Sequence, residues 1–405
     1  MRIAMISEHA SPLAALGGED AGGQNRHVAD LAAALARHGH VVTVYTRRDD
    51  PDLPTRVPVA GYDVVHVPAG PPLPLSKDEL LPFMDQFGDW LADRWRSSPG
   101  SDDAGEPDII HAHFWMSGVA AVRASARRIP VVLTYHALGA VKRRHQAQSD
   151  TSPPERLAIE ARLGNQVARV IAQCGDEVHE LGLMGVPTAH IDIVPSGVDT
   201  QRFRPDGERA DRPTGQARVL AAGRLVPRKG FDDLIRAVAM LPGTELVVLG
   251  GAGPTDPEAQ RLREVAEQEG IADRVRLPGP VAPEQMPMWY RSADVVACTP
   301  WYEPFGLTPL EAMACGVPVV TYPVGGLQES VVDGLTGRHV PTGDISALAG
   351  ALHEVCADPD LRDRLGRAAV HRIHAFYTWD RIASLLTQTY AAAAARHALP
   401  EEVRS

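Results

Sequence analysis

Glu303 and Glu311 stand eight residues apart in WYEPFGLTPLEAMACG, on either side of a turn that opens a helix. Carboxylates so placed suit sugar hydroxyls, because one carboxylate accepts from two donors at once. Phe305, Gly306 and Leu307 would offer free backbone N–H groups at the helix start, and with the positive end of its dipole these suit a phosphate. The same stretch also reads as a helix cap, with Thr308 as N-cap, Pro309 beside it and Glu311 as the returning carboxylate. Residue types alone leave both readings of Glu311 open.

A second group is cationic. Arg224, Arg228 and Lys229 lie in GRLVPRKG, the loop between a strand and a helix, where flexible cations can meet a diphosphate; solvated surface charge is the plainer alternative. Two glycine-rich turns, GGEDAGGQN and LGGAGP, place Gly22, Gly23 and Gly251 where phosphate or sugar can approach the backbone, though neither is a GxGxxG. Gly22 and Gly23 open a helix directly, with Asn25 in its first turn able to donate and accept. Val281, in the loop after RVRLPG, completes the candidate donor set.

Histidines recur at predicted strand ends: His9, His66, His111, His113 and His136. On a strand, His111 and His113 point the same way, and with His136 they form a conceivable metal set. HxH pairs are also ordinary polar residues of sheet edges, and no acidic or cysteine ligand accompanies them, so the expectation is no metal. Asp50-Pro51-Asp52 and Asp358-Pro359-Asp360 look like the DxD of metal-dependent sugar transferases but read better as turns.

The elements that must position these residues follow from hydrophobic periodicity. RIAMIS and VVTVYT read as buried strands flanking a helix that contains Val28, Leu31, Ala32 and Leu35 and stops at Gly39. DVVHV, DIIHAHF, VVLTYH and IDIVPSG continue the series, with helix-compatible stretches between them. The segment 204–216 is polar and rich in Pro and Gly and reads as a linker. After it RVLAAG, ELVVLGG, RVRLPG, DVVACT, PVVTY and GRHVP repeat the alternation. The expectation is an α/β chain of two doubly wound Rossmann-like domains, 1–205 and 216–380, facing across a cleft, with 381–405 as a terminal helix. LLPFMDQFGDWLADRW reads as a core or cleft helix rather than a membrane-surface one, since basic residues are scarce on its polar face.

Composition narrows the function classes. In 405 residues, 51 Asp and Glu outnumber 40 Lys and Arg for a net charge of -11, which argues against a nucleic-acid binder working through a positive field. Four cysteines without a CxxC pair suggest a reducing compartment. No apolar run approaches the length of a membrane span, and the start MRIAMISEH lacks the features of a secretory signal. A cytoplasmic protein without integral membrane contact is expected.

With these residues in view, the chain resembles the retaining nucleotide-sugar glycosyltransferases of the GT-B fold, family four, over nearly its whole length. The similarity is nearest to the groups around sucrose-phosphate synthase and the inositol-phosphate N-acetylglucosaminyltransferase of mycothiol biosynthesis. It rests on GGEDAGGQN, HAHFWMSG, TYHALGAVK, VPSGVD, GRLVPRKG and EPFGLTPLE with its E-x7-E spacing. The resemblance implies that Arg224 and Lys229 hold the donor diphosphate and Glu303 binds hexose hydroxyls. It further implies that the backbone from Phe305 to Leu307 meets sugar and phosphate, Glu311 binds the ribose, Gly23 approaches the diphosphate and His113 sits by the transferred sugar. The first domain would then bind the acceptor and the second the nucleotide-sugar, with the last helix crossing back to the first. Transfer would retain configuration, the leaving phosphate helping to deprotonate the acceptor.

Lys77 in LPLSKDEL matches a lysine that binds the acceptor phosphate in the mycothiol group, and Phe114, His136 and Lys142 join it as candidate acceptor residues. Phe114 stands where that group has tyrosine and Ala137 where it has threonine; Ser196 replaces the asparagine of VPNGVD, and ERLAIEAR lacks an obvious equivalent of that group's phosphate-binding arginine. The expected reaction moves glucose or N-acetylglucosamine from a nucleotide-sugar, UDP-linked, to a small polyhydroxylated acceptor: a cyclitol, a sugar phosphate or a natural-product core. No cofactor is expected beyond the nucleotide-sugar as co-substrate, and a homodimer is compatible with such a chain. The rival readings are a sugar-nucleotide sensor without turnover and a metal-dependent hydrolase built on the strand-end histidines.

Overall fold

The computed structural model describes residues 1–14, 22–96, 105–146, 150–253 and 255–397, and these divide into two compact units. The first comprises Met1–Ser196 and Trp379–Ser405; the second is Gly197–Thr378. The first part of GGEDAGGQN, Gly17 to Ala21, lies outside the described residues.

The first unit is built on eight strands: β1 (Arg2–Ile6), β2 (Val41–Arg47), β3 (Arg56–Val59), β4 (Tyr62–Val67), β5 (Ile109–His113), β6 (Val131–Thr134), β7 (Arg169–Ala172) and β8 (Ile191–Ile193). Their order is β3-β4-β2-β1-β5-β6-β7-β8, parallel throughout except for the antiparallel β3–β4 edge. The central strands are buried on both faces, which is why they read as continuous apolar runs. The helix Gly23–Arg37 turns Val28, Leu31 and Leu35 onto the sheet and stops at Gly39, whose φ of 83° only glycine adopts without strain. The helix Met84–Arg96 buries Met84, Phe87, Leu91 and Trp95, as a core helix should.

The second unit holds six parallel strands: β9 (Ala217–Ala222), β10 (Thr244–Leu249), β11 (Val275–Gly279), β12 (Val295–Cys298), β13 (Val319–Thr321) and β14 (Gly337–His339), ordered β11-β10-β9-β12-β13-β14. Apolar clusters fill both faces of this sheet. Both sheets are Rossmann-like, the expected fold class.

Two boundaries differ from the sequence reading. The polar stretch 204–216 is part of the second unit: Ala210 is buried and its N–H donates to the Met288 carbonyl (3.0 Å), while Arg212 pairs with Asp294 (2.7 Å). Polar composition marked an exposed strap, and the change of unit falls at Ser196. The terminal helix runs Trp379–His397 and packs within the first unit, with His40 bonded to Thr387 (2.9 Å) and Tyr390 to His111 (2.6 Å). Both Asp-Pro-Asp tripeptides are local structure. Asp50 accepts from the Asp52 N–H (2.8 Å), and Asp358 caps the helix Pro359–Phe376 by accepting from the Leu361 N–H (2.9 Å). Among the described residues no helix is long and apolar enough to cross a membrane.

Candidate active site

In the second unit the chains leaving the carboxyl ends of the adjacent strands β9 and β12 meet. Lys229, in the turn Pro227–Lys229, bonds through Nζ to Oε2 of Glu303. Arg228 approaches the same oxygen at 3.5 Å and donates to the Tyr302 carbonyl (2.9 Å). Gly230 explains how the two chains come so close. Its φ is 66°, and a Cβ there would lie 2.0 Å from the Thr299 carbonyl oxygen. Burial pushes the Glu303 carboxyl up, but Lys229 and Arg228 outweigh it and hold the group below its ordinary value. An ionised carboxylate therefore stands beside a lysine and an arginine at one strand-end position of an acidic protein. Arg224 is exposed in the same loop, two residues past the end of β9.

The helix Leu307–Ala314 begins at Gly306, with a φ of 84°, immediately after the buried Phe305. Its N-cap is thus Gly306, not Thr308, and the capping-box reading of Glu311 fails. Thr308 donates to the Ala222 carbonyl (3.3 Å), while Glu311 accepts from the buried hydroxyl of Tyr290 (2.8 Å). Gly251 follows β10 with a φ of 80°, and Val281, half-buried after β11, packs against the core cluster that contains Phe305.

In the first unit His113 ends β5, and His136 follows β6 by two residues. Both turns are strained: Phe114 has a φ of 85° and His136 of 61°, values rare for residues with a side chain. These turns bring the two imidazoles into a stack, His113 Nδ1 lying 2.9 Å from His136 Nε2, while the buried His113 Nε2 has no hydrogen-bond partner among the described residues. His27, on the apolar face of the Gly23–Arg37 helix, closes the group, its Nδ1 2.8 Å from the Ser196 hydroxyl. His111 does not join as a ligand, because its nitrogens meet Tyr390 (2.6 Å) and Thr134 (2.9 Å). Burial lowers the His27 pKa to about 4 and that of His111 to about 3; burial and then the neighbouring imidazoles hold His113 and His136 well below the usual range. All four rings are neutral at pH 7.

Gly22 precedes that helix and Gly23 begins it; Gln24 donates to the His113 carbonyl (3.3 Å). Asn25 turns inward, accepting from the Gly22 N–H (2.9 Å) and donating to the Ser11 carbonyl (2.9 Å), so its amide holds the loop. Lys142 is tied to Asp150 (3.0 Å) and Ser152 (2.9 Å). Lys77 opens a short turn that lies against that loop, because Thr151 donates to Asp78 (2.5 Å). Arg156 and Glu160, buried together, support the same region: Arg156 donates to the Ala137 carbonyl (2.6 Å) and its guanidinium lies over the Phe114 ring at 5.1 Å.

A profile described as Glycosyltransferase Family 4 matches residues 21–202, and one described as Glycosyl transferases group 1 matches 205–372. The D-inositol 3-phosphate glycosyltransferase of Kribbella flavida is 37% identical over 412 residues, spanning 96% of this chain and 95% of that protein. The chain belongs to the family-four glycosyltransferases of the GT-B fold. Among solved structures, the sucrose-phosphate synthase of Thermosynechococcus elongatus superposes with a TM-score of 0.86 at 31% identity, covering 97% of this chain and 99% of that one. The Anabaena protein HepE, solved in complex with UDP and glucose, shares the fold at a TM-score of 0.72 and 20% identity, with 97% and 100% covered. This glycosyltransferase therefore has the fold and the enzyme class that its motifs implied, and nothing in these similarities favours the sensor or the hydrolase.

The sequence reading missed His27, Ser196 as its partner, Tyr290, and the pair Arg156–Glu160. Only His27 carried a signal, as a histidine on an otherwise apolar helical face. The others are defined by long-range contacts that spacing does not encode.

Proposed function

We propose that the enzyme transfers a hexose, glucose or N-acetylglucosamine, from a UDP-sugar to a hydroxyl of a small polyhydroxylated acceptor, with retention and without a metal ion. The observation that carries this reading is the convergence of Lys229 and Arg228 on Glu303 where β9 and β12 end. A nucleoside diphosphate leaving group gains negative charge as the C1–O bond breaks, and preorganised cations stabilise that charge most when they need not move. Lys229 and Arg224 are assigned to the diphosphate, and Glu303, kept ionised by its cations, to hexose hydroxyls. The start of the Leu307–Ala314 helix is assigned to phosphate and sugar, and Glu311, braced by Tyr290, to the ribose diol. Gly22, Gly23, Gly251 and Val281 would supply close backbone or apolar contact. The acceptor oxygen bonds to C1 on the face the phosphate leaves, and its proton passes to the departing phosphate oxygen.

His113, Phe114 and His136 are assigned to the sugar and acceptor, with Lys77 and Lys142 beside them. The relatives named for D-inositol 3-phosphate favour a cyclitol or sugar phosphate among acceptors. The test is incubation with UDP-glucose and UDP-N-acetylglucosamine in a chelator, followed by NMR of the released or transferred sugar. Transfer or slow donor hydrolysis giving first an α-anomer supports the reading. Tight nucleotide-sugar binding without any turnover would favour a sensor, and loss of activity on chelation would contradict the metal-free mechanism.

A further inference from the structure

We propose that His27, His113 and His136 form a binding site for one transition cation of the zinc class, which occupies the site in competition with sugar and not as a cofactor. Each of the three offers one ring nitrogen, and these nitrogens all lie within 4.8 Å of one another. Tetrahedral zinc with metal–nitrogen bonds of roughly 2.0 to 2.1 Å needs its ligand atoms about 3.3 Å apart. The His113–His136 approach of 2.9 Å and the outer limit of 4.8 Å bracket that value, so ring rotation alone can close the site.

The chemistry of the donors agrees. Neutral imidazole is the form that ligates a cation, and three such rings come together here. The Ser196 hydroxyl occupies His27 Nδ1, leaving Nε2 for a ligand, as supporting hydrogen bonds commonly do around metals. His113 Nδ1 and His136 Nε2 face each other across 2.9 Å, so a cation between them would take the place of the proton they share. His111 is held by Tyr390 and Thr134, with its ring 4.1 Å from that of His113, and serves as a wall. Three imidazoles without a carboxylate select zinc, nickel, copper or cobalt over magnesium and calcium, and three ligands leave a fourth position for water. Competition with sugar rests on the assignment of His113 to the transferred sugar; the cation site itself does not.

The experiment uses the full chain without a histidine tag, stripped with EDTA and titrated with cobalt(II). Saturable 1:1 uptake with the visible d–d bands of a four-coordinate ion is expected. His27→Gln and His136→Gln should each abolish those bands, while Ser196→Ala should weaken uptake by about 10- to 100-fold. Melting of the ion-free variants confirms that each is folded. Absence of saturable uptake, or bands unchanged in both histidine variants, overturns the site and leaves glycosyl transfer untouched. In a second arm, zinc should suppress sugar transfer by the wild type and EDTA should restore it, and the transfer that His27→Gln retains should resist zinc. Undiminished transfer at saturating zinc overturns the competition alone.

Discussion

At the scale of single residues, the Lys229–Glu303 contact makes the sharpest prediction. Lys229→Ala removes a cation assigned to the diphosphate and leaves Glu303 with Arg228 of the two cations. Donor kcat/KM should fall by about 2 to 4 kcal/mol in transition-state terms, the range for loss of one preorganised donor. Because Lys229 helps hold the Glu303 carboxyl low, its removal should also move the acid limb of the pH–rate profile upward. Unchanged steady-state kinetics would take Lys229 out of the site. Glu311 gives a contrast of another kind. Since Gly306 is the N-cap, Glu311→Gln should leave the melting temperature nearly unaltered and raise the donor Kd. Tyr290→Phe should raise it through the same carboxylate, so that in calorimetry the double variant loses less than the sum of the singles. Additive losses would show that the hydroxyl does not brace Glu311.

Element by element, parallel strands buried on both faces were legible because apolar residues dominate them, and twelve of the fourteen strands among the described residues lie where apolar runs placed them. The exceptions have local reasons. β3, RVPV, is an edge strand with alternating exposure and a proline, and β7 starts at a half-buried arginine. The stretches assigned to the donor stood out because cations, glycines and paired glutamates sit close together in the sequence. Of the histidine group only His113 and His136 were legible at their strand ends, because His27 arrives from a helix and His111 is engaged by Tyr390 and Thr134. An element-scale prediction concerns Glu177, on the helix Gly175–Leu183, whose carboxyl burial pushes up to about 7 although it accepts from the Gln173 N–H. Its folded pKa lies above its unfolded value of 4.5, so the native state holds the extra proton and stability falls as pH rises from 4.5 to about 7. Glu177→Gln keeps the acceptor and removes the charge. It should gain about 1 to 3 kcal/mol over wild type at pH 8 and little at pH 4, as read from urea midpoints. An equal effect at both pH values would mean that this carboxyl is not the titrating group.

For the whole molecule, the division of the chain has a consequence for autonomy. The second unit is one continuous segment, 197–378, with its own apolar clusters on both faces of its sheet. The first is discontinuous, and the Trp379–His397 helix supplies Trp379, Ile382, Leu386 and Tyr390 to its core, each at most 5% exposed. At roughly 1.5 to 3 kcal/mol for each large side chain, losing these four forfeits about 6 to 12 kcal/mol, comparable with the entire stability of an ordinary domain. It would also uncover His111, whose Nδ1 meets Tyr390. Residues 1–378 should therefore fail to fold in the first unit, showing weak protection of β1, β5 and β6 in hydrogen exchange. Residues 197–378 alone should melt cooperatively and, if the donor site is as assigned, melt higher in UDP, because a ligand bound only by the folded form stabilises it. A 1–378 fragment with full protection of those strands would show that the last helix is an accessory rather than part of the core.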